Sequence, residues 1–233
     1  MNNLVKVLLG CFVSQLGTMI GAIIGVFDDN PSDKYLGFLI SISGGLMLSV
    51  VSFDLIPEGI RSISYFMFYL ILIAGILFMY LLDVFLGEES ANKLALLTAI
   101  SLSIHNFPEG VIMGIGFGSK TKLGLKMCFT IGIHDIPEGL AVAAPLNSSK
   151  KNRKKAVIYA YITSLTTPIG AIIGNKIALG HTFLGMSYGL ASGIMLYVVI
   201  FEMLPESFKL GKTKKTALGI LMGYLLGFTM SLL

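Results

Sequence analysis

Eight stretches of this 233-residue chain are each apolar for about the length that a bilayer's hydrocarbon core demands. They run over roughly 4–26, 35–60, 63–86, 94–118, 122–146, 155–178, 182–208 and 216–233, with brief polar connections between them. A helix needs about 20 apolar residues to cross that core. In hydrocarbon a backbone N–H or C=O finds no water, and a helix satisfies all of its own within one segment. The expected fold is therefore an all-α membrane protein, a bundle of eight transmembrane helices forming a single domain over 1–233. Composition agrees: only 13% of residues are charged and 55% are hydrophobic, about half the charged share of a soluble domain. The run Leu4–Val26 reads as a first span and not as a cleaved signal. It is long, ends at Asp28-Asp29 and lacks a basic start followed by a small-residue cleavage site.

The formal net charge of +4 does not point to nucleic acid, because the basic residues sit in short loops between apolar runs. Anionic lipid and membrane insertion account for them. With the N-terminus outside, eleven of the 17 Lys and Arg face inward: Lys34, Lys93, Lys150, Lys151, Arg153, Lys154, Lys155, Lys209, Lys212, Lys214 and Lys215. The other six are Lys6, Arg61, Lys120, Lys122, Lys126 and Lys176. That bias favours both termini outside. Cys11 and Cys128 are far apart within apolar runs and read as small hydrophobic fillers.

The chain repeats itself. Thr18-Met19-Ile20-Gly21-Ala22-Ile23-Ile24-Gly25 matches Thr167-Pro168-Ile169-Gly170-Ala171-Ile172-Ile173-Gly174 at all but one position. Gly45-Leu46-Met47-Leu48 then aligns with Gly193-Ile194-Met195-Leu196, and Phe53-Asp54-Leu55-Ile56-Pro57-Glu58 with Phe201-Glu202-Met203-Leu204-Pro205-Glu206. A first repeat over about 4–86 and a second over about 155–233 thus flank central helices over about 94–146. An odd number of crossings separates equivalent segments, so the copies run in opposite directions, as in secondary transporters built from inverted repeats. Small residues at four-residue spacing (Gly17, Gly21, Gly25; Gly37, Ser41, Gly45; Gly185, Gly189, Gly193) suit close helix packing.

The central helices each carry a polar motif: His105-Asn106-Phe107-Pro108-Glu109-Gly110 and His134-Asp135-Ile136-Pro137-Glu138-Gly139. Ionisable groups in hydrocarbon are expensive and point to function. Residues i and i+4 share a helix face, so His105 converges with Glu109 and His134 with Glu138. Pro108 and Pro137 have no N–H, which leaves the Ile104 and Ile133 carbonyls without their helical partners and kinks the bundle beside the ligands. Helices 2 and 7 repeat the theme with Asp54, Pro57, Glu58 and Glu202, Pro205, Glu206. Imidazole with carboxylate suits Zn²⁺, Fe²⁺ and other first-row divalent ions. Two histidines and two glutamates suffice for one tetrahedral ion. Asn106, Asp135 and Glu202 can add oxygens for a second, with Glu109 and Glu138 bridging. Elsewhere His181 reads as a solvated loop residue, Asp83 as interfacial, and Glu88-Glu89 and Asp28-Asp29 as solvated caps, while Asp28, Asp29 and Asp33 face the inner side, where they can meet departing cations.

The two motifs, their order on neighbouring helices and the eight-helix count resemble the ZIP (Zrt/Irt-like protein) family of divalent metal transporters, most closely its compact prokaryotic members. The resemblance covers essentially the whole chain. It implies a 3+2+3 bundle with both termini outside, in a prokaryotic plasma (inner) membrane. It implies a first metal site at His105, Glu109, His134 and Glu138 and a second at Asn106, Asp135 and Glu202. It also implies a path past the acidic Asp54, beside which Glu58 and Glu206 are further candidates. The implied substrate is Zn²⁺, with Fe²⁺, Mn²⁺ or Cd²⁺ as alternatives, carried into the cytoplasm. A homodimer is left open. Many family members carry a long histidine-rich loop between helices 3 and 4; here the link is only Gly87-Glu88-Glu89-Ser90-Ala91-Asn92-Lys93. Asp135 stands where some relatives have Asn. A competing reading is a membrane-embedded di-metal carboxylate enzyme. Such bundles use Glu-x-x-His, whereas this chain has His-x-x-x-Glu, and the His-Glu-x-x-His of metalloproteases is absent.

Overall fold

The computed structural model describes residues 3–27, 32–86, 91–118, 123–150, 152–176, 181–211 and 214–232. Each apolar run is a helical rod there. The first is α1 (Asn3–Gly25); the second joins α2 (Asp33–Val50), a π-helical turn at Val51–Leu55 and α3 (Ile56–Ser62). Next come α4 (Tyr65–Leu86), α5 (Ala91–Gly118) and α6 (Leu123–Lys150). The sixth rod is α7 (Arg153–Ser164) followed by α8 (Thr166–Lys176). The seventh is α9 (His181–Tyr197), a π-helical turn at Val198–Met203 and α10 (Leu204–Gly211), and the last is α11 (Lys214–Ser231). Among the described residues, five segments are long and apolar enough to cross a membrane: Asn3–Gly25, Asp33–Ser62, Tyr65–Phe85, Arg153–Lys176 and Thr182–Gly211.

Two local features depart from plain α-helix, and prolines explain both. The sixth rod breaks at Leu165, where the Leu165 N–H reaches Ile162 O at 3.2 Å and the Thr166 hydroxyl donates to Thr163 O at 3.0 Å. Pro168 lies three residues on; it cannot donate to the Ser164 carbonyl and its ring crowds that group. In α1 the matching residue is Met19, and α1 is continuous. The one mismatch in the eight-residue repeat thus coincides with the one broken copy. In the second and seventh rods the turn just ahead of Pro57 and Pro205 widens. Ile56 N–H bonds Val51 O, five residues back, and Leu204 N–H bonds Val199 O in the same way. By contrast α5 runs through Pro108 as one helix.

The rods pair as α1 with α6, α5 with α8, α2 with α11 and α4 with α9. Glycines make these seams. The Gly139 Cα lies on the Thr18 carbonyl and Gly110 on that of Thr167; Gly45 lies on Ile220 and Gly193 on Leu72, so a side chain at any of the four would strike backbone. Thr18 and Thr167 are matched residues of the sequence repeat, and so are Gly45 and Gly193.

The outside of the bundle is greasy. α4 exposes Phe66, Leu70, Ile73, Leu77, Leu81 and Phe85, and α11 exposes Leu218, Leu221 and Leu225. Continuous apolar faces of this extent are a liability in water and the norm in lipid. The polar groups lie inside instead: Ser14, Asp54, Asn106, Glu109, Asp135 and Glu138 are all buried.

Candidate metal centre

Glu109 projects from α5, and Asp135 and Glu138 from α6. They are 2%, 0% and 2% exposed, and one carboxylate oxygen from each lies within 4.8 Å of the other two. Asp135 and Glu138 are three residues apart on one helix, hence on one face, and Glu109 meets them across the α5–α6 contact. Carboxylates gathered in one buried spot have lost hydration and, where ionised, repel one another, which favours a cation among them.

Asp135 also has a partner on another rod. The Ser14 hydroxyl of α1, itself fully buried, donates to Asp135 Oδ2 at 2.5 Å. The helices come this close because Gly17, one turn further along α1, has no side chain: a Cβ there would lie 3.2 Å from Asp135 Cβ and on the Gly132 carbonyl.

A small cavity of about 10 Å³ opens beside Glu109. Val50, Asp54 and Leu55 line it from the second rod, Ile112 from α5, and Met127, Thr130 and Ile131 from α6. That is room for about one water-sized particle. The π turn places Asp54 on this cavity, where the residue is 3% exposed.

A family model described as ZIP Zinc transporter matches residues 87–233, more than half of the chain. The chain belongs to the ZIP zinc transporter family. Zinc transporter ZupT of Chlorobium phaeovibrioides is 32% identical over 254 residues, covering 96% of each chain. Zinc transporter ZupT of Corynebacterium aurimucosum is 30% identical over 239 residues, covering 91% of this chain and 90% of its own. Zinc transporter ZupT of Chlorobaculum parvum is 33% identical over 254 residues, covering 95% and 94%. The protein is thus a multi-pass membrane transporter of divalent metal and not an enzyme.

The ZIP protein brings together some of the residues expected from its sequence and not others. Glu109, Asp135 and Glu138 meet, Asn106 is buried nearby on α5 in the same motif, and Asp54 shares a cavity with Glu109. His105 and His134 stand one helical turn before Glu109 and Glu138 in α5 and α6, but their side chains lie outside the described residues. Glu202 falls within the second π turn, half-buried and outside the trio. Glu58 pairs with Arg61 at 2.8 Å and Glu206 with Lys209 at 3.4 Å, each within its own helix, and neither is one of the trio. Asp83, near the end of α4, accepts a hydrogen bond from the Tyr197 hydroxyl at 2.6 Å, tying α4 to α9.

Sequence reading missed Ser14. Its signal was a polar cluster, Ser14, Gln15 and Thr18, in an otherwise apolar first run.

Proposed function

We propose that this ZIP protein carries Zn²⁺ into the cytoplasm through a binuclear centre at the α5–α6 contact. One ion takes His105, Glu109, His134 and Glu138; the other takes Asn106 and Asp135, with Glu109 and Glu138 bridging. Glu202 is assigned to the second ion on the sequence pattern alone. The convergence of Glu109, Asp135 and Glu138 carries this reading, and the relatives' names favour zinc. The same donors accept Fe²⁺, Mn²⁺ and Cd²⁺.

The eight rods are eight crossings with both termini outside, in the plasma (inner) membrane of a prokaryote, and the first and last three are inverted copies. Matched glycine seams support the repeat, as do matched π turns and the matched pairs Glu58–Arg61 and Glu206–Lys209. In that orientation metal passes Glu58 and Asp54 from outside, reaches the centre, and leaves by Glu202 and Glu206.

The test is Zn²⁺ uptake into proteoliposomes of defined orientation. Glu138→Ala removes a carboxylate shared by both ions, so uptake falls more than about tenfold while the amount of folded protein in the membrane is unchanged. Near-normal uptake by a well-folded Glu138→Ala protein overturns the centre.

A further inference from the structure

We infer that Ser14 is the residue that sets how Asp135 presents itself to metal, and through that which divalent ion the centre prefers. The inference deepens the proposed function and rests on it.

A carboxylate can bind a metal through one oxygen or through both. Ser14 decides between these at Asp135. Its hydroxyl donates to Oδ2 at 2.5 Å from a different helix. Hydrogen bonds to an ionised acceptor are the short, strong kind. The bond draws charge from Oδ2 and makes Oδ1 the stronger donor toward metal, so Asp135 favours one-oxygen ligation. The geometry is not adjustable: Ser14 is fully buried, and a few residues along both helices α1 meets α6 through Gly17 on Gly132 and Gly21 on Ile136, backbone against backbone. Neither helix can slide to release the contact.

The aligned copy offers an internal comparison. Extending the match of Thr18 with Thr167 puts Thr163 where the first copy has Ser14, and the two motifs put Asn106 where the second has Asp135. The Thr163 hydroxyl donates to Ala160 O of its own helix at 2.8 Å. The Thr163 hydroxyl proton thus stays on its own helix, whereas that of Ser14 crosses to the Asp135 carboxylate.

One-oxygen ligation suits a small ion with few close ligands, as Zn²⁺ is. Two-oxygen ligation suits larger ions with more ligands, the pattern by which carboxylates hold large cations. With Ser14→Ala, Oδ2 loses this hydrogen bond and two-oxygen ligation by Asp135 competes better, which favours Cd²⁺ over Zn²⁺.

The experiment is calorimetric titration of purified, detergent-solubilised full-length protein with Zn²⁺ alone and Cd²⁺ alone, on Ser14→Ala, Asp135→Asn, the double variant and Glu138→Ala. Ser14→Ala removes one methylene-bound hydroxyl and adds no bulk. The expected result is a shift of the Cd²⁺:Zn²⁺ affinity ratio of about tenfold toward Cd²⁺ in Ser14→Ala, the scale of one hydrogen bond to a charged group. The same substitution made in Asp135→Asn should add nothing. A merely structural role for Ser14 moves both metals together, or moves them equally in the Asp135→Asn background; either outcome overturns the assignment. An unchanged ratio in Ser14→Ala, with binding lost in Glu138→Ala, overturns the Ser14 assignment and leaves the centre standing. Intact binding of both metals in Glu138→Ala overturns both.

Discussion

Gln15 and Ser164 bond to each other in both directions: the Gln15 amide donates to Ser164 O at 2.8 Å, and the Ser164 hydroxyl donates to Gln15 Oε1 at 2.9 Å. They join α1 to the end of α7 beside the break at Leu165. Extending the match of Thr18 with Thr167 makes them equivalent positions of the proposed repeat. In such a repeat, a residue that meets its own counterpart would lie on the two-fold axis relating the copies, as in a self-complementary dimer interface.

Gln15→Leu keeps the size and removes both bonds. Stability should fall by about 0.5–2 kcal/mol, the range for hydrogen bonds between membrane helices. Denaturant titration in detergent measures it, and the Zn²⁺:Cd²⁺ preference should stay where it was. A change in metal preference would place Gln15 in the transport machinery instead.

The glycine seams predict a sharp positional contrast. Gly139→Val drives a side chain into the Thr18 carbonyl, so folded, monodisperse protein should be largely lost. At Gly118 the nearest atom to an added Cβ is 3.7 Å away, and Gly118→Ala should be extracted and purified in ordinary yield. Equal yields would mean that the α1–α6 seam is not as tight as described.

Tyr197→Phe deletes the hydroxyl that donates to Asp83 at 2.6 Å. A cost of about 1 kcal/mol is expected, and Asp83→Asn added to it should cost less than it does alone, since the pair acts as a unit. Uptake per folded molecule should be nearly unchanged. Strict additivity would show that the two side chains do not interact.

Crystals soaked in Cd²⁺ should give anomalous density at two neighbouring positions. In Asp135→Asn the position between His105 and His134 should remain, with the second weakened. Loss of the first peak in that variant contradicts the division of ligands between the ions.

Histidine must be neutral to bind metal, and its ordinary pKa is about 6.5. Protonation on acidification therefore removes ligands, so apparent affinity for Zn²⁺ should weaken as the pH on the outer side is lowered. A steady rise in uptake on acidification at fixed Zn²⁺ would require proton coupling in place of competition.

The rods were legible because period and length are properties of sequence: apolar runs of span length leave helix as the one backbone choice. Their interruptions were less so. The break at Leu165 follows from Pro168, yet Pro108 leaves α5 in one piece, so a proline marks a site of strain without saying how it will be relieved. The π turns were not legible because no residue type marks them: Pro57 and Pro205 follow widened turns, whereas Pro108 sits in ordinary α-helix. At the centre, Glu109 and Glu138 were fixed by spacing within each motif, and their meeting needed only that α5 and α6 adjoin. Ser14 and Asp135 are 121 residues apart. A buried serine in a membrane helix usually bonds its own backbone, as Thr18 does to Ser14 O. Nothing in spacing distinguishes the one that reaches across.

The glycine seams have a thermal consequence. Soluble cores weaken in the cold because their cohesion comes from withdrawing apolar surface from water, with the heat-capacity change that this entails. Where Gly139 rests on Thr18 and Gly45 on Ile220, the alternative partner is lipid, as apolar as the helix it replaces. Cohesion of this kind carries little heat-capacity change and does not fade on cooling. At low temperature the limit on this bundle is set by the freezing of the surrounding acyl chains before any loosening of the protein.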